Sequence, residues 1–234
     1  MNKFKSVFNK KHVFLPVIHV ENLDKTLKNI EIAYSAKCDG VFLINHAVSS
    51  KELLEIQYKS KEKFPDFWIG VNLLGEMPLD IFQMLNEGID GLWVDNAYID
   101  EKENEQKKAE QILSAKLSSG WKGLYFGGVA FKYQKKVSEV EKAAILAKDF
   151  MDVVTTSGIG TGKAANIEKI KLMKSALGDF PLAIASGISY YNIEDYLDIA
   201  DCFLVASSIT SNNEYLKPKT VFELKEKIQR YENT

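Results

Sequence analysis

Arginine is almost missing from this 234-residue chain: 29 of its 30 basic residues are lysine, and the exception is Arg230, four residues from the end. A bidentate arginine fork on a carboxylate or phosphate is therefore nearly excluded. Any anion must be held by backbone N–H groups, hydroxyls or lysine. Cysteine is also scarce. Cys38 and Cys202 cannot build a disulfide framework, which points to a reducing, cytoplasmic setting. No apolar run is long enough to cross a bilayer. Thirty basic against 32 acidic residues leave no electrostatic footprint for nucleic acid. The basic start, with Lys3, Lys5, Lys10 and Lys11, has no apolar core of its own, so it reads as an N-terminal extension over residues 1–11 and not as a signal or transit peptide. With 46% hydrophobic and 11% aromatic residues, the chain has too much apolar material for disorder. The expectation is one globular domain over residues 1–234.

What is present is a regular alternation. Eight short apolar runs are separated by amphipathic stretches rich in lysine and glutamate. The runs are Val13–Val20, Gly40–Asn45, Trp68–Leu74, Gly91–Asn96, Gly123–Lys132, Asp152–Ser157, Pro181–Ser186 and Asp201–Ser207. They are apolar on both parities, as strands covered on both faces of a parallel sheet are. The stretches Ser49–Lys63, Asn104–Ser118, Ser138–Lys148 and Ala164–Leu177 read as helices between them. Eight units at roughly 29 residues each fit a (β/α)8 barrel, an α/β fold of the TIM type, near its lower size limit. A doubly wound open sheet usually has fewer strands, and its glycine-rich turn after the first strand is missing. The βα unit is the only repeat the sequence displays.

In such a barrel the carboxyl ends of the strands carry the site. The polar residues there are His19, Asn45, His46, Asn72, Asp95, Asn96, Lys132, Tyr133, Ser157, Ser186, Ser207 and Ser208. Asn and Ser in these loops also serve as helix caps, so each has a plain structural reading beside the functional one. The sharpest local feature is Ser157-Gly158-Ile159-Gly160-Thr161-Gly162-Lys163. Glycines at alternate positions let backbone N–H groups approach an anion, and the following helix would add its N-terminus. The loop fails the Walker A pattern twice, at Ser157 and Ala164. Gly187, Ser207 and Ser208 follow the seventh and eighth runs, where phosphate-binding barrels hold phosphate against a short extra helix. Asn192 reads as a helix cap.

For chemistry, His19 and Asp95 are candidate acid or base groups. Lys132, at the end of an apolar strand, suits Schiff-base, proton-transfer or electrostatic work. His12 precedes the first strand, at the opposite end of a barrel. No metal motif is present, and no cofactor is expected, although Asp95 and a ligand phosphate leave room for a magnesium ion.

Several of these segments resemble the BtpA/SgcQ family of predicted (β/α)8 barrels. They are Asp152–Gly162 (DVVTTSGIGTG), Pro181–Asn192 (PLAIASGISYYN), Cys202–Ser208, Gly128–Lys132 (GVAFK) and Val71–Leu74 (VNLL). The resemblance places Lys132 on the family's lysine, with Tyr133 where the family has histidine. The N-terminal third departs: His19 and Asn45 fall on family positions, but the proline-glycine loop and the acidic neighbour are gone. The resemblance implies the barrel and a generic enzyme role. The expected function is an enzyme for a small phosphorylated metabolite, a sugar phosphate or a phosphoribosyl or nucleotide compound, with isomerase, lyase or phosphoribosyl-transfer chemistry. The alternatives are a non-catalytic assembly or regulatory factor, and a barrel whose polar strand ends are all structural. A homodimer is the default expectation for the assembly.

Overall fold

A computed structural model describes residues 2–212 and 214–232. Eight parallel strands close into a barrel in sequence order: β1 (Val13–His19), β2 (Val41–Ile44), β3 (Ile69–Asn72), β4 (Gly91–Val94), β5 (Leu124–Gly128), β6 (Val153–Thr156), β7 (Leu182–Ile184) and β8 (Cys202–Val205). β8 returns to pair with β1, Val13 opposite Cys202. Outside lie α2 (Leu23–Ser35), α3 (Ser50–Lys63), a single turn α4 (Pro78–Ile81), α5 (Lys107–Ser119), α6 (Val140–Ala147), α7 (Ile167–Leu177) and α8 (Pro218–Glu232), with a 3-10 turn at Ile193–Tyr196 after β7. This is the expected (β/α)8 barrel. The strands are shorter than the apolar runs because each run includes loop residues at its ends. No helix among the described residues is long and apolar enough to cross a membrane.

Three features depart from the sequence reading. Within the extension expected over residues 1–11, the described residues 2–11 are not a simple tail. Lys3–Phe8 form α1, whose Phe4 is buried in the barrel interior, 6.3 Å from the Phe126 ring, while Phe8 lies 5.4 Å from the Trp68 ring. The helix thus plugs the N-terminal mouth with apolar surface. Asn192 does not cap the turn that follows it. Its side chain accepts from the Ser189 N–H (2.8 Å) and donates to the Gly187 carbonyl (2.8 Å), tying the β7 loop to itself. Among the described residues, no short helix follows β8 either. A turn at residues 206–209 leads into a small hairpin, β9 (Thr210–Ser211) with β10 (Tyr215–Leu216). Asn29 of α2 pins this hairpin through the Glu214 carbonyl and the Leu216 N–H, both at 2.8 Å.

The barrel also repeats in pairs of βα units, which the sequence reading had not separated. An aspartate stands just before each even-numbered strand. Its carboxylate accepts the first or second N–H of the preceding strand and pairs with a lysine from the helix ahead of that strand. Asp90 takes the Ile69 N–H and Lys61, Asp152 takes the Tyr125 N–H and Lys116, and Asp201 takes the Leu182 N–H and Lys174. Asp39 closes the ring with the Phe14 N–H and Lys225. Strand N–H groups that start a parallel ladder need an acceptor when buried, and these four clamps supply it while fixing helix to strand.

Candidate functional site

The C-terminal mouth opens into a cleft of about 760 Å³. Three candidate chemical groups enter it from different parts of the barrel: His19 from the end of β1, Asp95 just past β4, and Lys132 from the loop after β5. Thr161 and Gly162 reach it from the β6 loop, Ser186 and Gly187 from the β7 loop, and Ser207 and Ser208 from the turn after β8. Val17, Ile44, Trp93 and Leu204 form its apolar floor.

Asp95 is held from β3. The Asn72 amide, buried in the barrel mouth, donates to Asp95 Oδ1 at 3.1 Å. Burial pushes the Asp95 carboxyl above the ordinary aspartate range; the Asn72 hydrogen bond and the positive charge of Lys132 pull the other way. Asn72 therefore orients a cleft residue without lining the cleft itself.

Lys132 does not end a strand. β5 stops at Gly128, and the chain turns through Ala130 (φ 48°) and Tyr133 (φ 63°), both in left-handed backbone that no sequence pattern announces. The turn is pinned at several points. The Lys132 N–H donates to Ser157 Oγ (2.7 Å), and Thr156 Oγ1 donates to the Ala130 carbonyl (3.2 Å). Lys169 of α7 reaches beneath both loops to the Ala130 and Ser157 carbonyls. With no carboxylate beside it, burial lowers the Lys169 pKa to about 8. The Lys132 ammonium itself lies 3.4 Å from Thr161 Oγ1, linking the β5 and β6 loops.

The glycine-rich loop is only partly at the cleft. Ser157 is buried behind it, accepting from Lys132, and Gly158 packs so closely on residues 163–164 that a Cβ would sit 2.2 Å from the Lys163 carbonyl oxygen. α7 does not follow directly either; Asn166 caps it with a hydrogen bond from the Lys169 N–H. Two further expected ligand groups hydrogen-bond to loop backbone. Asn45 accepts from the Leu74 N–H (2.6 Å) and donates to Ser50 Oγ, joining the β2 and β3 loops. Asn96 accepts from the Tyr98 N–H (2.8 Å) and faces a neighbouring depression formed by the β4–α5 loop.

His46, Trp93 and Tyr133 also line the cleft; His46 and Tyr133 stand among the polar strand-end residues without an assigned role, and Trp93 belongs to an apolar run. His46 stacks on His19, ring centroids 4.5 Å apart and planes within 17°. Nothing in the sequence pairs a histidine at the end of β1 with one in the loop after β2. Burial, reinforced by His46 and then Lys132, drives the His19 imidazole down to about 4. A histidine ordinarily titrates near 6.5, so the unfolded chain binds a proton there first. This group's contribution to stability is complete above that pH and is lost as pH falls towards 4. A His19→Gln variant is therefore expected to lose less stability than wild type between pH 7 and pH 4.5 in urea unfolding. Equal losses in the two proteins would contradict the assignment.

Among the described residues, no three His, Cys, Asp or Glu side chains are grouped to hold a metal ion.

Residues 125–225 match the model of the BtpA family. An uncharacterized protein of Methanocaldococcus jannaschii is 30% identical over 128 residues, which cover 52% of this chain and 46% of that protein. The match thus spans about half of that relative's length. Among solved structures, (S)-3-O-geranylgeranylglyceryl phosphate synthase from Thermoplasma acidophilum, in complex with sn-glycerol-1-phosphate, is similar at a TM-score of 0.69 and 13% identity, covering 98% of this chain and 99% of that one. Phosphoribosyl anthranilate isomerase from Thermus thermophilus gives a TM-score of 0.63 at 12% identity, covering 93% and 99%. At these identities the likeness is one of fold.

Proposed function

We propose that this chain, whose C-terminal half carries the BtpA family pattern, is a (β/α)8 enzyme for a small phosphorylated metabolite, acting by proton transfer. The observation that carries this reading is a convergence in one cleft: Asp95, His19 and Lys132 meet the small-residue loops at Gly162, Gly187 and Ser207. The two similar enzymes are named for a phosphate-bearing substrate or product, which supports the same reading. With arginine absent from the mouth, backbone N–H groups around Gly187 and Ser207 and the Ser207 hydroxyl take the phosphate.

Asp95 is the acid–base group, because burial keeps its proton affinity above that of an ordinary carboxylate and Asn72 fixes its direction. His19, neutral at pH 7, offers a hydrogen bond to a carbonyl oxygen without bringing a charge. Lys132 supplies positive charge where the reacting atoms become negative. Isomerisation and aldol-type carbon–carbon cleavage share an enolate intermediate. It is formed by removing a proton from carbon beside the carbonyl in the first, and from a hydroxyl as the bond breaks in the second. This set of groups suits both.

The test is thermal unfolding with inorganic phosphate and with sn-glycerol-1-phosphate. A ligand at a hundredfold over its Kd adds about 2.7 kcal/mol. A shift with either compound that disappears in Ser207→Glu supports the site. No shift with either would overturn the reading and favour a barrel that binds a partner without turnover.

A further inference from the structure

The cleft has room that a phosphate alone leaves unfilled. Its volume of about 760 Å³ falls among sites for whole small-molecule ligands. β8 pairs with β1, so the mouth continues from the proposed phosphate loops directly to the end of β1. There the wall changes character. The aliphatic side chains of Val17, Ile44, Leu74 and Leu204 line it, together with the stacked imidazoles of His19 and His46. A polyol would leave its hydroxyls facing aliphatic carbon here, whereas a flat ring matches both the carbon floor and the parallel imidazoles.

His46 is exposed, yet the loop holding it is braced. Its N–H donates to the Ile44 carbonyl (3.2 Å), and its neighbour Asn45 is tied to Leu74 and Ser50. The backbone that carries the outer ring of the stack is thus fixed by hydrogen bonds. Because His19 is neutral at pH 7, it adds no charge that a neutral ring would have to desolvate. Close by, Trp93 lines the same cleft, and its indole N–H is buried without a partner.

We infer that the phosphorylated ligand carries a planar aromatic or heteroaromatic ring, stacked on His46 and His19 while its phosphate sits at Gly187 and Ser207. This inference rests on the phosphate reading above and narrows its substrate class.

Calorimetric titration with inorganic phosphate, ribose 5-phosphate, AMP and UMP tests it. At least one nucleotide is expected to bind ten times or more tighter than ribose 5-phosphate. His46→Ala should bring that ratio close to one, and His46→Phe, which restores a flat ring, should keep it; a melting curve for each variant checks the fold. If ribose 5-phosphate binds as tightly as both nucleotides, or if His46→Ala retains the ratio, the ring inference fails and the phosphate reading stands. If none of the four compounds binds, the phosphate reading fails and takes the inference with it.

Discussion

Replacing Asp39 by alanine is expected to lower the melting temperature more than any other clamp substitution. Its carboxylate is 1% exposed and its partner Lys225 4%, so both charges lie out of water, whereas the other three pairs are 11–26% exposed. Asp39 also accepts the Phe14 N–H at 2.9 Å and meets Lys10, which approaches from the partly exposed side. Its removal leaves an ammonium and a strand N–H buried without an acceptor. Breaking a buried pair in this one-sided way costs about 3–5 kcal/mol. For a chain of this size each kcal/mol lowers Tm by about 2–4 °C, so a fall of about 6–20 °C is expected. The double variant Asp39→Ala/Lys225→Met should recover part of the loss, because the stranded charge is gone. Glu226→Ala, at the exposed pair with Arg230, should change stability by no more than about 0.5 kcal/mol. A fall of under 2 °C for Asp39→Ala, or a double variant no better than the single, would show that the clamp does not hold the barrel.

The second large effect is expected at Gly128, where a strand and the site meet. A Cβ there would lie 1.9 Å from the Asp95 carbonyl oxygen and 2.9 Å from that of Val94. Both atoms are backbone, so no side-chain rotation relieves the clash. β4 and β5 must separate at the point where β4 presents Asp95. Overpacking usually costs about 1–3 kcal/mol, and a backbone collision belongs at the upper end. Gly128→Ala is expected to lose about 3 kcal/mol in denaturant unfolding. Gly120→Ala makes the useful contrast: its φ of 72° strains an alanine, but no atom lies within 4 Å of the new methyl. That strain alone costs about 1–2 kcal/mol. Gly128→Ala losing no more than Gly120→Ala would mean that the close approach is not restrictive.

Much of the barrel was legible because a parallel sheet covered on both faces writes itself as apolar runs. Val41–Ile44 and Cys202–Val205 are buried at every position, which is why the runs that announced them are apolar on both parities. The aspartates were harder. Asp152 and Asp201 read as the first residues of strands, when they are the acceptors that finish the neighbouring strand. Their partners stand 27 and 19 positions away, beyond the reach of any local pattern. α1 was misread for a similar reason. Phe4 and Phe8 look like stray aromatics in a lysine-rich start until the barrel mouth that receives them exists.

The site divides along the same line. By itself the sequence determined which residue types stand after each strand: His19, Asp95, small residues after β7 and β8, and almost no arginine. Local spacing settles that much, since a strand end and its following turn are contiguous in the chain. Only the tertiary structure decided which of them share a cleft. Ser157 and Gly158 turned inward to brace the loops, Asn45 and Asn96 bonded to backbone, and Asn72 became the support of Asp95. His46 entered the cleft by stacking on a ring from the end of another strand. The physical reason is closure of the barrel. Each loop follows its own strand, but its side chains face whatever the neighbouring strands bring to the rim, and those neighbours are fixed by a hydrogen-bonded circuit that no single segment contains.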